Sequence, residues 1–270
     1  MNAQAAITPS PLKRIDRSGI AILTLDRPQA RNALSEGLIA ALTAEMDAIA
    51  ADSRVKVVVL GASGPVFSAG HDLKEMTAHR ADADRGRAYY ADILGRCSAM
   101  MTRIVRLPQP VIAAVEGVAT AAGCQLVASC DLAVAGADAR FSTPGVHIGL
   151  FCSTPMVALS RNVPPKHAME MLLLGEMISA EDAGRMGLVN RTSQAGRALD
   201  EALRMAEIIA SKSTHTIRIG KRAFYEQADM NLDDAYAYAS RVMVENMLAR
   251  DAEEGIGAFV EKRQPVWAGA

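Results

Sequence analysis

The sequence predicts an α/β protein followed by a helical C-terminal region. Apolar, β-branched runs alternate with amphipathic helical segments up to a boundary between residues 190 and 200. The strand-like runs are almost continuously apolar, which is typical of strands whose two faces are both covered. From Arg197 onward nearly every segment has helical periodicity and a polar face. These three observations favour a mainly parallel sheet enclosed by helices.

The first strand–helix–strand unit lies near the N-terminus. Residues 19–26 form a β-branched run that ends at an Arg-Pro turn, and residues 55–60 form a second apolar run. Residues 35–51 between them predict a helix, because apolar side chains recur there at steps of three and four: Leu38, Ile39, Leu42, Met46 and Ile49. A crossover of this kind is right-handed in almost all known proteins.

The same alternation continues through the middle of the chain. It predicts strands over 111–115 and 131–135 and helices over 86–107, 121–129, 155–161, 166–174 and 180–186. We therefore divide the chain into a flexible N-terminal arm (1–15), an α/β core (16–195) and a helical C-terminal region (196–270).

Composition excludes several classes of protein. The chain has 270 residues, half of them hydrophobic, and 29 basic against 30 acidic side chains give a net charge of −1. Because no positive field results, nucleic acid is not expected as a partner. No run of apolar residues is long enough to span a membrane, so no membrane partner is expected.

The cysteines and the N-terminus bear on metal binding and location. The four cysteines contain no C-x-x-C pair and have no paired histidines nearby, so we expect reduced thiols and no metal site. The first fourteen residues show neither a signal peptide nor a strong targeting helix. On that basis we expect a cytoplasmic location.

Two turns combine backbone freedom with the start of a helix. In residues 67–75 the chain reverses at Gly70-His71, and Asp72 with Glu75 fits a capping box. In residues 117–125 a strand ends in glycine and re-enters as a helix of small residues. Such turns are common in α/β proteins and often serve only tight packing. Together, however, two of them can present backbone N–H groups as an oxyanion hole.

Five segments of the chain resemble successive blocks of the crotonase (enoyl-CoA hydratase/isomerase) superfamily, in the same order and at similar spacing. They are RPQARNALS, VFSAGHDLKEM, QPVIAAVEGVATAAGCQLVASCDLAVAGADARFSTPGVHIGL, AMEMLLLGEMISAEDAGRMGLVN and EGIGAFVEKRQPVW. The resemblance implies a spiral of β-β-α turns followed by a helical region that assembles homotrimers, usually as a dimer of trimers.

The resemblance also implies an acyl-CoA thioester as the partner, with no cofactor other than the coenzyme A of the substrate. The thioester carbonyl would accept hydrogen bonds from the backbone N–H groups of His71 and Ala122. Coenzyme A would contact three groups of residues: Arg27, Ala30 and Arg31; Ala69 and His71; and, often from elsewhere in the assembly, Phe259 and Lys262.

The two glutamates of family hydratases do not match. Their positions are occupied here by Gln125 and Gly145, which cannot exchange a proton at neutral pH. Acid–base groups contribute about 10²–10⁴ in rate, so their loss predicts inefficient hydration. The enolate stabilisation left is worth about 10²–10³ per donor of the hole.

Two histidines and a cysteine are weighed as replacements for these glutamates. The His71 imidazole could reach the acyl group, although a loop histidine beside a helix cap more often makes a local hydrogen bond. His147 is expected on the opposite side of its segment from Gly145. Cys152, next to Ser153, occupies a loop that meets a substrate carboxylate in some superfamily decarboxylases, but a small buried thiol is usually packing.

Other polar and sulfur-containing residues have structural interpretations. Glu116 could be a displaced base, although a structural hydrogen bond is favoured. Asp131 is expected to cap or pair locally. The methionines Met169, Met171 and Met177 are expected in the core, with lining of an acyl pocket as the alternative.

The leading hypothesis is an enzyme of the hydratase/isomerase family that stabilises a thioester enolate. Decarboxylation of a malonyl-type CoA and non-catalytic binding of acyl-CoA are the alternatives. A serine hydrolase is not supported because G-x-S-x-G is absent. A dinucleotide enzyme is not supported either, since G-x-G-x-x-G after a strand and the P-loop are both missing.

Overall fold

The structure is a computed structural model that describes residues 10–270. Its strands are β1 Leu12–Arg17, β2 Ile20–Leu25, β3 Val57–Ala62, β4 Val66–Ser68, β5 Val111–Val115, β6 Val118–Thr120, β7 Leu132–Gly136, β8 Arg140–Ser142, β9 Ile178–Ser179 and β10 Arg191–Ser193. Its helices are α1 Glu36–Ala51, α2 Leu73–Ala78, α3 Arg87–Arg106, α4 Ala122–Ser129, α5 Ser153–Asn162, α6 Pro165–Leu174, α7 Ala180–Met186, α8 Ala198–Ala210, α9 Thr214–Gln227, α10 Leu232–Met247 and α11 Arg250–Glu261. Short 3-10 helices lie at Pro28–Ala30, His79–Ala81 and Pro144–Ile148.

The strands form two sheets, and from β3 to β8 the chain alternates between them. The larger has the order β1-β2-β3-β5-β7-β10 and the smaller β4-β6-β8-β9. Strands β3, β5 and β7 of the larger sheet are parallel, and each is followed by a short strand of the smaller sheet and then by a helix or turn. The repeating unit is therefore two strands and a helix, which confirms the predicted α/β spiral.

The predicted strands over 19–26, 55–60, 111–115 and 131–135 are confirmed as β2, β3, β5 and β7. The five later strands that were not predicted have only two or three residues, too few for a period of two to show. Although their sequences carry little signal, three of these short strands, β4, β6 and β8, position the candidate site.

The assignment of residues 12–15 to a flexible arm is wrong, because they belong to β1. This strand pairs antiparallel with β2 from Leu12 opposite Leu25 to Arg17 opposite Ile20. The connecting Ser18 and Gly19 both have positive φ, 51° and 79°, as a two-residue type I′ hairpin turn requires. Of the rest of the predicted arm, residues 1–9 lie outside the described residues.

Helices cover the larger sheet on both faces. Helices α1, α3 and α4 pack together over the main hydrophobic core, whereas α8 packs on β3, β5 and β7. The α8 side chains Ala202, Met205 and Ala206 meet Val57 and Ile112 in a second buried cluster. Helix α8, predicted to open the C-terminal region, is thus a layer of the core.

A buried polar network joins helix α9 to the amino-terminal end of the parallel strands. The Asp131 carboxylate accepts hydrogen bonds from Lys221 Nζ (2.7 Å), the Tyr225 hydroxyl (3.0 Å) and the Val111 N–H (2.7 Å). Only 7% of the Lys221 side chain is exposed. The expectation that Asp131 pairs locally is wrong, since its side-chain partners lie 90 and 94 residues away.

Several large apolar side chains of the last three helices are exposed, namely Phe224, Leu232, Tyr236, Met243, Val244, Leu248, Phe259 and Val260. Exposed apolar patches of this kind mark interaction surfaces. None of the described helices has the length and hydropathy to cross a bilayer. Residues 10–270 also contain no cluster of three or more His, Cys, Asp or Glu residues suited to a metal ion.

Replacing Lys221 by Met should destabilise the protein strongly, because Asp131 keeps its buried charge and loses its counter-ion. Breaking a buried ion pair from one side costs about 3–5 kcal/mol. Urea unfolding followed by circular dichroism measures the loss. Arg197→Met, which removes an exposed pair with Asp200, is the control and should cost less than about 1 kcal/mol. Equal losses in the two variants would contradict this account.

Candidate active site

Three parallel strands of the smaller sheet end side by side. Strand β4 pairs with β6, and β6 pairs with β8, with Thr120 opposite Ser142 at the last position. The chain leaves these carboxyl ends through three turns, which contain His71, Ala122 and Gly145. The carboxyl ends of parallel strands commonly form the ligand crevice of α/β proteins. Three positions predicted from sequence therefore lie at one edge of one sheet.

In the first turn the His71 backbone is held by the segment before α1. The Leu34 N–H donates to Gly70 O (2.7 Å), and the Asp72 N–H donates to Leu34 O (3.3 Å). In this parallel bridge the N–H of the middle residue, His71, points away from Leu34. The His71 N–H has no acceptor within residues 10–270. It is therefore a free donor at the end of β4.

In the second turn Ala121 redirects the chain into α4. Its φ of +49° and ψ of −120° are rare for a residue with a side chain and cost about 1–3 kcal/mol. Its N–H donates to Ser142 O (2.9 Å), which fixes the turn against β8. Ala122 is the first residue of α4, so its N–H has no partner within the helix. Strained backbone of this kind is concentrated at functional sites.

The two turns touch. A side-chain carbon placed on Gly70 would lie 3.1 Å from Ala122 N and 2.9 Å from the Ala121 Cβ. One placed on Gly123 would lie 2.3 Å from Ser68 O. The Thr120 hydroxyl also donates to Ala69 O (3.2 Å) across the gap. The structure thus brings the His71 and Ala122 amides onto adjacent turns, the arrangement that the predicted oxyanion hole requires.

Gln125 and Gly145, which the resemblance matches to the family glutamates, lie in tightly packed surroundings. Gln125 is 5% exposed, and its Oε1 has no hydrogen-bond partner among the described residues. A carbon placed on Gly145 would lie 2.8 Å from Leu150 O and 2.9 Å from Cys152 Sγ. A glutamate at 145 therefore has no room unless residues 150–152 move. Burial raises the pKa of the Cys152 thiol, which stays protonated.

A sequence profile described as Enoyl-CoA hydratase/isomerase matches residues 16–270. The chain belongs to the enoyl-CoA hydratase/isomerase family. Human enoyl-CoA hydratase domain-containing protein 3, mitochondrial, is 46% identical over 260 residues, which are 96% of this chain and 84% of that protein. The rat protein of the same name is 47% identical over 252 residues, 93% of this chain and 82% of that protein.

Solved structures agree with this membership of the family. An enoyl-CoA hydratase from Mycobacterium smegmatis superposes with a TM-score of 0.91 at 51% identity and covers 95% of this chain and 98% of its own. Human enoyl-CoA hydratase domain-containing protein 3 gives 0.90 at 46% identity and covers 95% and 100%. The resemblance seen in the sequence, and the fold that it implies, are confirmed.

The expected cytoplasmic location is contradicted by these relatives. The rat, human, mouse and Xenopus laevis proteins are all named mitochondrial. The expectation depended on the lack of a recognisable targeting helix in the first fourteen residues, a weak signal.

Five of the seven residues matched to coenzyme A contacts of the family, His71 among them, are grouped at the first turn. The Ala69 N–H donates to Arg31 O (3.0 Å), and Arg27 Nη2 lies 3.5 Å from Asp72 Oδ2. Arg31 is exposed at the end of the 3-10 helix that includes Ala30. Together with His71, these residues form one continuous border of the site.

Phe259 and Lys262 are not part of that border within one chain. They lie in and directly after α11, which packs mainly on α9 and α10. Phe259 is 85% exposed. Their contact with coenzyme A stays a prediction of the family resemblance.

The remaining sequence candidates are structural or distant. The Glu116 carboxylate accepts hydrogen bonds from the N–H groups of Gly196 (3.1 Å) and Ala198 (2.7 Å), so it caps α8 as the structural interpretation expected. His147 is exposed on the 3-10 helix after Pro144. Of the three methionines expected in the core, Met171 is buried, but Met169 and Met177 are 49% and 53% exposed.

The His71 side chain differs from the usual loop histidine. Both ring nitrogens are buried and make no hydrogen bond with any described residue, so the expected local hydrogen bond is absent. Burial lowers the pKa of the imidazole, an effect that the neighbouring Leu34 backbone offsets only in part. The ring is therefore neutral at neutral pH.

Sequence reasoning missed three buried polar residues around the site. Asn32 is fully buried; its Nδ2 donates to Ser63 O (2.9 Å) and Val66 O (2.7 Å), and its Oδ1 accepts from the Arg27 N–H (2.8 Å). The hydroxyls of Ser142 and Thr143 are buried and have no partner within residues 10–270. The sequence signal that could have identified Ser142 and Thr143 is their position directly before the Pro-Gly turn.

Replacing Gly70 by Ala should separate the two turns. The new methyl group would meet Ala121 at 2.9 Å, and overpacking of this kind adds about 1–3 kcal/mol to the strain of a side chain at φ +84°. Gly149→Ala is the matched control, since Gly149 has a similar φ of +75° and no atom within 4 Å of the added carbon. We expect a lower urea midpoint for Gly70→Ala than for Gly149→Ala. Equal midpoints would show that the turns are not in close contact.

Proposed function

We propose that the chain binds an acyl-CoA thioester whose carbonyl oxygen accepts hydrogen bonds from the His71 and Ala122 N–H groups. The observation that carries this proposal is the close approach of the two turns, in which a carbon added to Gly70 would lie only 3.1 Å from Ala122 N. Both donors have no competing acceptor, and Ala122 adds the positive end of α4. Each such donor stabilises the negative charge of an enolate and raises the rate by a factor of about 10²–10³.

Coenzyme A lies, in this proposal, along the border made by Arg27, Ala30, Arg31 and Ala69, where two guanidinium groups meet its phosphates. It enters as part of the substrate, and no further cofactor is proposed. Phe259 and Lys262 come from another subunit of a homotrimer, itself half of a dimer of trimers. The exposed apolar side chains of α9, α10 and α11 support this assembly.

The reaction class is that of the family, hydration or isomerisation of an enoyl-CoA through an enolate, at a low rate. Gln125 can orient a water or the acyl chain through its amide, but it cannot take or return a proton. Gly145 contributes no side chain, and the space beside it is filled by Leu150 and Cys152. The catalytic contribution of proton transfer is therefore lost, whereas the contribution of enolate stabilisation remains.

Decarboxylation of a malonyl-type CoA is the second candidate, and the lack of a carboxylate at positions 125 and 145 favours it. A substrate carboxylate would meet only neutral groups there, among them the unpaired Oγ atoms of Ser142 and Thr143. When the bond to the carboxylate breaks, its electron pair remains on the α-carbon as the thioester enolate, and CO₂ leaves. The enolate then takes a proton from water at its α-carbon, so this route needs the oxyanion hole and a proton donor but no base.

Product analysis separates these reactions. The purified protein is incubated with crotonyl-CoA and, separately, with malonyl-CoA, and the thioesters are resolved by mass. A gain of 18 Da, the mass of one water, identifies hydration, whereas loss of CO₂ identifies decarboxylation. Calorimetry with butyryl-CoA tests binding. Binding without turnover supports a non-catalytic acyl-CoA binder, and the lack of any binding refutes the proposal.

Restoring one carboxylate should raise hydration. We expect Gln125→Glu to increase the rate with crotonyl-CoA by about tenfold to a hundredfold, because it returns one acid–base group to α4. The structure argues against adding a glutamate at 145, where the side chain has no room. Gln194→Glu, an exposed change of the same charge, is the control. An unchanged rate in a folded Gln125→Glu variant that binds butyryl-CoA contradicts this explanation of the low activity.

A further inference from the structure

We propose that the His71 imidazole is the group that moves the proton at the α-carbon of the bound thioester. This inference rests on the proposed function, in which the His71 N–H holds the carbonyl oxygen. The imidazole and that N–H belong to one residue, so the ring branches from the backbone directly beside the reacting carbonyl. His71 would thus supply both an oxyanion donor and the acid–base group.

The first argument is the unpaired state of the ring. Both nitrogens are buried and neither has a hydrogen-bond partner among residues 10–270. Native proteins pair most buried polar atoms, and the exceptions call for an explanation such as a catalytic role. His71 itself follows the end of β4, and its own N–H is one of the two free amide donors. A bound thioester would bring polar partners to this place.

The second argument is that the nearby carboxylates are already engaged. Asp72 caps the first turn of α2 and pairs with Arg27. Glu75 accepts the Glu36 N–H at 2.9 Å and so caps α1. Both carboxylates are therefore engaged at the starts of helices.

The thiols and the replaced positions do not supply a base either. Burial raises the pKa of Cys124 to about 12 and also raises that of Cys152, so both stay protonated at neutral pH. Gln125 and Gly145 do not titrate. Among these groups, the His71 ring is the one that is both basic and without a hydrogen-bond partner.

The proposed step balances without a further reagent. The unprotonated ring nitrogen takes the α-proton, and the C–H electron pair becomes the enolate, whose oxygen is held by the His71 and Ala122 amides. The imidazolium then returns a proton to the α-carbon. In hydration the same nitrogen takes a proton from water as the water oxygen bonds to the β-carbon. The π electrons then form the enolate, and the proton returns to the α-carbon.

Exchange of the α-protons of butyryl-CoA in D₂O measures this step directly, since mass spectrometry counts the deuterium gained. We expect exchange by the unaltered protein and a loss of about a hundredfold or more in His71→Ala. The affinity for butyryl-CoA, measured by calorimetry, should change little because the backbone amide remains. Added imidazole should restore part of the exchange in His71→Ala, which a merely structural role would not allow.

His147→Ala is the matched control, because this histidine is exposed and lies outside the two turns. It should exchange like the unaltered protein. His71→Asn, which keeps a polar side chain, serves if His71→Ala does not fold. Full exchange by either His71 variant, or binding of butyryl-CoA without exchange by the unaltered protein, overturns the inference. The proposed function fails separately, if butyryl-CoA does not bind at all.

The dependence on pH gives a further readout. Burial places the pKa of the ring below its ordinary value, so exchange should fall only when the pH drops through that lowered value and the ring becomes protonated. The charged side chains on the segments around this turn include Arg27, Arg31, Glu36, Asp72, Lys74 and Glu75. His71→Asn keeps all of these and should lose the pH dependence. A fall that persists in His71→Asn assigns the proton transfer to another group and overturns the inference.

Discussion

The close approach of two backbone turns is the constraint on which the rest of the site depends. Gly70 and Gly123 face Ala122 and Ser68 at distances that leave no space for a side-chain carbon. Ala121 adopts a strained conformation to make the contact, and the backbone hydrogen bond to Ser142 together with the packing of α4 offsets that strain. Two amides are thereby fixed before any ligand arrives, and donors fixed in advance are effective at a developing oxyanion.

The turn that contains His71 is also held in place by the segment before α1. Asn32 binds three backbone groups, and Leu34 accepts and donates across the His71 bridge. The capping box predicted at α2 forms only in part: Asp72 caps its own helix, whereas Glu75 turns to the N–H of Glu36. Glu75 thus accepts a hydrogen bond from α1 in place of the local bond that a capping box would make, and this bond connects the start of α1 to α2. The His71 turn therefore lies between elements that hold each other.

Local patterns in the sequence predicted what local forces determine. The long strands and most helices follow from apolar periodicity, and the two turns follow from glycine and small residues at the starts of helices. Two- and three-residue strands carry no period, so β4, β6 and β8 were missed although they align the three turns. Asp131 shows the second limit, because nothing near it in the sequence indicates partners 90 and 94 residues away. The functional interpretation of the turns came from the family resemblance.

Packing around Gly145 shows how the fold excludes a side chain at the position that the resemblance matches to a family glutamate. Leu150 O and Cys152 Sγ lie only 2.8 and 2.9 Å from the position that the first carbon of a side chain at 145 would take. The absence of a glutamate is thus a matter of loop conformation as well as of one residue, since residues 150–152 would have to move before any side chain fitted. A site with this loop cannot divide acid and base between two carboxylates. It favours reactions in which one group carries the proton both ways, or in which the leaving group needs no base.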